Sequence, residues 1–331
     1  MSHRKEGPLG EAAHRHTPVM LDRCVELLSP ALERDGAIAI DGTLGMGGHS
    51  EALLKRHPRL TVVGIDRDGD AIALASKRLE WAGARFVAYR ATYDDIEGAL
   101  AAVDADAADA ILLDLGVSSL QIDEGERGFS YVNHGPLDMR MNRDDPVTAA
   151  DILATADETE IARILHVYGE ERYARRIAEA IVARRSSDPV TRSEQLVDLV
   201  RACIPAASRQ PGSNPAKRTF QALRIAVNRE LDVLEDAIDA AIDALAVGGR
   251  LVVMSYHSLE DRMVKRAFAA ASSSSAPVGL PVIPDEQQPY LRLLTRGAEK
   301  ASPAEIDRNS RAKPVRLRAA ERIRATSRRA A

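Results

Sequence analysis

Three aspartates in the first half of the chain, Asp41, Asp66 and Asp114, each close a short apolar run. Directly after the first, within "DGTLGMGGHS" (41–50), stand Gly45, Gly47 and Gly48. Glycines between a strand and a helix let the backbone approach a ligand, and the helix N-terminus beyond adds oriented N–H groups. A nucleotide phosphate, the sulfonium cofactor of a methyltransferase, or no ligand at all would fit such a loop. The dinucleotide fingerprint G-x-G-x-x-G would need Gly or Ala at position 50, where this chain has Ser50. The acids discriminate better. Asp66 lies about twenty residues past the glycines, where an acid can hold both hydroxyls of a ribose. Asp41 would repel a pyrophosphate, yet it would attract the amino and sulfonium groups of S-adenosyl-L-methionine. Against three carboxylates that merely end strands in turns, the pattern favours a cationic methyl donor.

The elements that must position these residues follow from hydrophobic period. "GAIAID" (36–41), "LTVVGID" (60–66), "RFVAYR" (85–90) and "ADAILLDLG" (108–116) are short and apolar, as buried parallel strands are. "SEALLKRHP", capped by Ser50 and followed past its end by Pro58, and "DAIALASKRLEWAG", closing on Gly83, have helical character between them. The alternation predicts a doubly wound α/β sheet with right-handed crossovers. After Gly116 it stops: about 120–145 is loop-like, and 148–245 has helical period only. Capping boxes are expected at Asp157/Glu160 and Thr191/Glu194. The sheet resumes at "GGRLVVMSYHS" (248–258), and "YLRLLTR" (290–296) with "PVRLRAAER" (314–322) reads as an antiparallel hairpin. The expected domains are a disordered 1–15, a Rossmann-like sheet domain over 16–118 and 246–322, a helical insertion for substrate recognition over 119–245, and a basic tail at 323–331.

Composition bounds the class. Apolar residues make up 45% of the 331, charged ones 28% and aromatics only 4%, so the core must be aliphatic. Cys24 and Cys203 give no disulfide framework, no apolar stretch reaches a membrane span, and the polar start has no signal-peptide core. A cytoplasmic enzyme off the membrane is the expectation. The net charge of -4 conceals a basic end: Arg308–Ala331 holds nine Lys/Arg against Glu321 alone, +8, leaving −12 for the rest. Such a tail suits either nucleic-acid phosphates or a solvated terminus. His14 and His16 have ligand-like spacing, but no second Cys/His pair supports them, so no metal is expected.

Longer blocks carry a family resemblance. "HTPVMLD" (16–22), "DGTLGMGGHS" (41–50), "GIDRDGDAIALA" (64–75), "LLDLGVSSLQID" (112–123), "ERGFSYVNHGPLDMRM" (126–141), "YGEERYARRIAEAIV" (168–182), "PAKRTFQALRIAVNREL" (215–231) and "GGRLVVMSYHSLEDRMVK" (248–265) resemble the bacterial RsmH (MraW) methyltransferases. These methylate the exocyclic N4 of a cytosine in small-subunit ribosomal RNA. The resemblance covers nearly all of 16–318 and implies a class I S-adenosylmethionine-dependent fold. It further implies cofactor contacts from Gly47, Gly48, His49 and Asp66, with Tyr93, Asp114 and Gln121 around the adenine and methionine ends.

Cytosine N4 is a weak nucleophile, so the site should accept its amino hydrogens and exclude water. The base must be single-stranded or flipped out to be reached. The (Asp/Asn/Ser)-Pro-Pro-aromatic motif of many amino-methylating enzymes is replaced here by "DLGVSS". The candidates are Asp138, with Arg140, in "PLDMRM" and His257, with Ser255, in "SYHSLED". An imidazole titrates in a useful range for the released proton, although Ser258 and Asp261 also form an ordinary capping-box pattern. For the RNA, Lys217, Arg218 and Arg224 with Phe220 available to stack make one set, and Arg262, Lys265 and Arg266 a second. Glu170, Glu171 and Arg172 read instead as an ion-pair network. The partner expected is small-subunit rRNA, in an assembled or nearly assembled subunit, with a homodimer left open. Two rival functions are weighed: an NAD-dependent oxidoreductase, which explains only the loop and Asp66, and a non-catalytic ribosome-assembly factor, which would not need all three acids.

Overall fold

The computed structural model describes residues 18–209, 212, 214–277 and 282–325. The expected disorder of 1–15, the His14/His16 pair and the last residues of the basic tail lie outside these. The chain forms two compact units, one up to Gly116 and again from Asp232, the other Val117–Leu231.

The first unit is built on one seven-stranded sheet: β1 (Ile38–Asp41), β2 (Thr61–Asp66), β3 (Phe86–Arg90), β4 (Ala108–Asp114), β5 (Leu245–Ser255), β6 (Leu291–Leu293) and β7 (Arg316–Arg322). Their spatial order is β3-β2-β1-β4-β5-β7-β6. The first five are parallel; β7 runs antiparallel to β5, and β6 antiparallel to β7. This is the Rossmann-like sheet expected from the sequence, with its terminal antiparallel pair. Alternate strand residues face opposite cores. Ala39, Val62, Leu112 and Met254 pack under α1 (Leu21–Leu28), α2 (Gly48–Arg56) and α3 (Gly69–Leu79). Ile40, Val63, Ile111 and Val253 pack under α4 (Ile96–Ala101), and beneath two later helices, α11 (Glu230–Ala244) and α12 (Ser258–Ala271). Both faces of the sheet are covered, which is why its strands are continuous apolar runs.

The second unit holds α5 (Ser119–Asp123), α6 (Ala149–Thr155), α7 (Glu158–Gly169), α8 (Ala174–Arg184), α9 (Ser193–Cys203) and α10 (Lys217–Asn228) around its own core of Leu153, Ile161, Ile177, Leu196 and Leu223. Its division from the first unit falls before Asp232, whereas the helical period alone runs on to 245. The difference is α11: Leu234, Ile238 and Ile242 belong to the core beneath the sheet.

Caps show where local pattern misleads by one residue. Asp157 caps α7 as expected, accepting from the Glu160 N–H at 2.8 Å. At α9 the N-cap is Arg192, and Gln195 rather than Glu194 reaches back. At α12 the N-cap is His257 with Glu260, not Ser258 with Asp261. Asp261 instead pairs with Arg318 at 2.8 Å.

Candidate cofactor site

The β1–α2 loop is fixed by its own backbone. The Gly42 N–H donates to Leu112 O and the Leu44 N–H to Ile65 O, both at 2.9 Å. Gly45 (φ 49°) turns the chain, and its N–H donates to Asp66 Oδ2 at 2.8 Å. Gly47 is the N-cap of α2 at φ 75°, a conformation that costs an L-residue about 1–2 kcal/mol. A Cβ on Gly47 would also lie 3.1 Å from Leu79 Cδ1, and one on Gly48 only 2.4 Å from Pro18 Cγ. Gly47 is therefore required by the turn, and Gly48 by its packing against Pro18. The helix cap is Gly47, not Ser50: Ser50 lies in the first turn of α2, and its hydroxyl donates to Asp41 Oδ2 at 2.7 Å.

Parallel register brings Asp41, Asp66 and Asp114 to one edge of the sheet, because each ends a strand at its carboxyl end. Burial pushes all three carboxyls up. Asp66 reaches about 6, although the Asp68 and Gly45 N–H groups pull it back. Asp41 and Asp114 are raised by burial against the pull of His49. Asp41 is 2% exposed, and its Oδ1 is buried without a hydrogen-bond partner. Asp114 Oδ1 accepts the Tyr256 hydroxyl at 2.6 Å, while Oδ2 lies 3.9 Å from His49 Nδ1. The His49 ring is fixed at its other end, Nε2 standing 3.1 Å from Val19 O. Tyr93, half-buried, follows β3, and its Cβ lies 3.4 Å from where a side chain on Gly42 would begin.

Clustered carboxylates, Asp41 buried and Asp66 and Asp114 half-buried, repel one another, and each retains lone pairs that no protein donor uses. S-adenosyl-L-methionine fits this set. A cationic amino group answers the orphaned Asp41 Oδ1, a ribose diol suits Asp66, and the sulfonium charge offsets the accumulated acids. A pyrophosphate would add negative charge to the same edge.

The two catalytic candidates are bound into their own surroundings. Asp138 is gripped by Arg140 through both oxygens, Nε to Oδ1 at 2.8 Å and Nη2 to Oδ2 at 2.7 Å. Arg140 holds its carboxyl below the usual range against the opposing effect of burial. A carboxylate so stabilised is a poor proton acceptor. His257 Nδ1 faces the Glu260 N–H at 3.4 Å, and Nε2 stands 3.0 Å from Glu260 Oε1. Nδ1 thus caps the start of α12, while Nε2 is buried and makes no hydrogen bond despite its closeness to Glu260. Gln121 closes a capping box at α5: its Oε1 accepts the Ser118 N–H at 3.1 Å, and Ser118 Oγ accepts the Gln121 N–H at 3.3 Å.

The cationic candidates divide. Lys217, Arg262, Lys265 and Arg266 are exposed, the last three on one face of α12. Arg218 is exposed and donates to Glu170 O at 2.7 Å. Arg224 is taken up by Glu230 through two bonds of 2.8 and 3.0 Å. Phe220 is 3% exposed and packs edge-on to Tyr131, ring centres 6.0 Å apart, so it offers no face to a base. The basic C-terminal run is also partly spent. Arg318 pairs with Asp261, and the buried Arg322 donates to Ile242 O and Asp243 O at the end of α11.

Two contributors escaped the sequence reading. Tyr256 sits in "SYHSLED" beside the histidine that draws attention, and only the pairing of β4 with β5 brings it to Asp114. Thr43 accepts the Asp114 N–H through Oγ1 at 2.6 Å, a bond across 71 residues. Among the described residues no helix is long and apolar enough to cross a membrane.

Comparison with known proteins bears on this geometry. The chain is 58% identical over 319 residues to a protein of Beutenbergia cavernae named Ribosomal RNA small subunit methyltransferase H, covering 96% of each. A protein of the same name from Saccharopolyspora erythraea is 58% identical over 95% of each chain. The model of the MraW methylase family matches residues 13–323. With that match spanning both units and the whole strand-end acid set, the chain belongs to the MraW methylase family.

Proposed function

We propose that the protein transfers the methyl group of S-adenosyl-L-methionine to the exocyclic N4 of a cytosine in small-subunit ribosomal RNA. The observation that carries this reading is the 58% identity, over 96% of both chains, with a relative whose name states that RNA. The retained acid edge supports it, since a pure RNA binder has no need of three carboxylates, one buried and two half-buried, at one edge of the sheet.

S-adenosyl-L-methionine supplies an electrophilic methyl group on a sulfonium sulfur, open to in-line displacement. Asp66 takes the ribose hydroxyls while its carboxylate is steadied by the Gly45 and Asp68 N–H groups. Asp41 receives the cofactor's amino group on Oδ1, with Oδ2 already held by Ser50. Gly47, Gly48 and His49 shape the loop below it, and Tyr93 lends an aromatic face to the adenine. Positioning of this kind contributes much of the rate of a displacement reaction.

The cytosine amino group needs an acceptor for its hydrogen as the N–C bond forms. Asp114 suits that task better than Asp138 or His257. One of its oxygens is held by Tyr256, burial raises its proton affinity, and its second oxygen has no hydrogen bond from His49 at 3.9 Å. The proton then leaves to water. Lys217, Arg218, Arg262, Lys265 and Arg266 remain as phosphate contacts. The substrate is the assembled or nearly assembled small subunit, and the reaction takes place in the cytoplasm.

Deleting the gene for this chain tests the reading. Small-subunit rRNA from the deletion strain, digested to nucleosides, should lose an N4-methylated cytidine that returns on complementation. An unchanged nucleoside profile contradicts it. Methylation in vitro of intact subunits, compared with naked RNA, tests the substrate form.

A further inference from the structure

Six arginines of the second unit share one surface. Arg172, Arg175 and Arg176 lie at the start of α8, Arg201 and Arg209 lie on either side of the end of α9, and Arg218 opens α10; all are exposed. Contacts tie these places together. Arg218 Nη1 donates to Glu170 O at 2.7 Å, two residues before Arg172. The Tyr173 hydroxyl donates to Ser208 Oγ at 2.7 Å, next to Arg209. Arg209 Nη2 donates to Arg201 O at 2.7 Å, and Cys203 Sγ stands 3.7 Å from Arg176 O.

The six arginines outnumber the exposed acids beside them, Glu170, Glu179 and Asp198. Among the described residues Arg172, Arg175 and Arg176 form no ion pair. The ion-pair network expected from "YGEERYARR" is therefore not how Arg172 is used. Arg209 and Arg218 spend hydrogen bonds on backbone carbonyls, which fixes their guanidinium groups without neutralising them. The acids nearby are few. Glu170, two residues before Arg172, and Glu179, one turn after Arg175 and Arg176, are exposed, while Glu171 is buried, its Oε1 accepting the Tyr173 N–H at 2.9 Å. Arg201 meets Asp198 only at 3.8 Å. Arg172 also stacks over the half-exposed Tyr173 ring at 5.9 Å. A merely solvated face would carry mobile cations balanced by acids. Here the forks of Arg209 and Arg218 are held in place and the arginines outnumber the acids, an arrangement that suits phosphate oxygens.

We infer that this arginine surface binds the sugar–phosphate backbone of the RNA substrate. The inference rests on the RNA reading above and extends it to residues outside the methyl-transfer site. Tyr173 adds an aromatic edge for an unstacked base.

The test uses the full chain, a fragment of small-subunit rRNA, and the variant Arg172→Gln/Arg176→Gln/Arg209→Gln. Binding is followed by fluorescence anisotropy across ionic strength. The Kd should weaken by about tenfold or more near 0.1 M salt. The slope of log affinity against log salt should fall by about 2, three contacts at roughly 0.7 each. The calorimetric Kd for S-adenosyl-L-methionine should not change. A control, Arg56→Gln/Lys77→Gln/Arg296→Gln, removes three exposed cations of the first unit and should stay within about twofold of wild type. An arginine variant within about twofold of wild type, or a control with an equal loss, overturns the inference. If the triple variant does not fold, the single changes Arg172→Gln and Arg209→Gln are measured, and two unchanged salt slopes overturn it equally. A wild-type chain that binds the fragment but methylates no RNA contradicts the proposed function and leaves this comparison standing.

Discussion

The Tyr256 hydroxyl donates to Asp114 Oδ1 over 2.6 Å, joining the first residue after β5 to the last residue of β4. Neighbouring parallel strands place the two side by side, Asp114 being paired with Met254. The bond occupies one carboxylate oxygen and so selects the other for any further partner.

Tyr256→Phe should therefore act through Asp114. Removing a donor to the ionised carboxylate raises its proton affinity further, so the acid limb of the kcat profile should move to higher pH. We expect kcat to fall about 10- to 100-fold, with a much smaller change in cofactor affinity. Steady-state kinetics against pH, with calorimetry of cofactor binding, check this. An unmoved acid limb would reduce Tyr256 to a packing residue.

Asp66 makes cofactor binding depend on pH. Burial lifts its carboxyl to about 6, so the cofactor-free chain holds a proton there at lower pH. A ribose diol donates best to the ionised form, and affinity should drop by about tenfold between pH 7 and pH 5. The stability linkage has the opposite sense. A raised carboxyl favours the folded cofactor-free chain below about pH 4, and that contribution is lost as pH rises through about 6. Asp66→Ala should abolish binding at all pH values. A calorimetric titration of this variant with wild-type affinity would remove Asp66 from the site.

Gly47→Ala should destabilise the fold and the loop together. The φ of 75° strains any L side chain, and a methyl group there would press on Leu79 Cδ1 at 3.1 Å. A loss of about 1–3 kcal/mol is expected in chemical denaturation. Unchanged stability would show that the loop relaxes freely.

Phe220→Ala separates core from interface. Its ring packs against Tyr131 within the second unit's core, so the substitution should cost about 3–5 kcal/mol. Thermal unfolding should reveal that loss, while the salt slope of RNA binding at low temperature should stay as in wild type. Weakened RNA binding with native stability would return Phe220 to the RNA-contact set.

Much of this was legible in the sequence because the signals are local. Continuous apolar runs gave β1 to β5, and the alternating runs after residue 290 matched β6 and β7. The acids that end strands were visible because a parallel sheet must bring strand ends to one edge. What escaped is long-range or relative. Tyr256 and Thr43 reach Asp114 across 142 and 71 residues, which no period encodes. Phe220, Arg224 and Asp138 have suitable chemistry, but packing and ion pairing employ them elsewhere. Helical period alone also could not tell that α11 packs beneath the sheet, since its apolar stripe would suit either core.

The central claim is tested most directly with purified protein, methyl-labelled S-adenosyl-L-methionine and small ribosomal subunits from cells lacking the enzyme. After digestion of the RNA to nucleosides, the label should appear in N4-methylcytidine. Label in a different nucleoside, or none from a chain that binds the cofactor tightly, would contradict it.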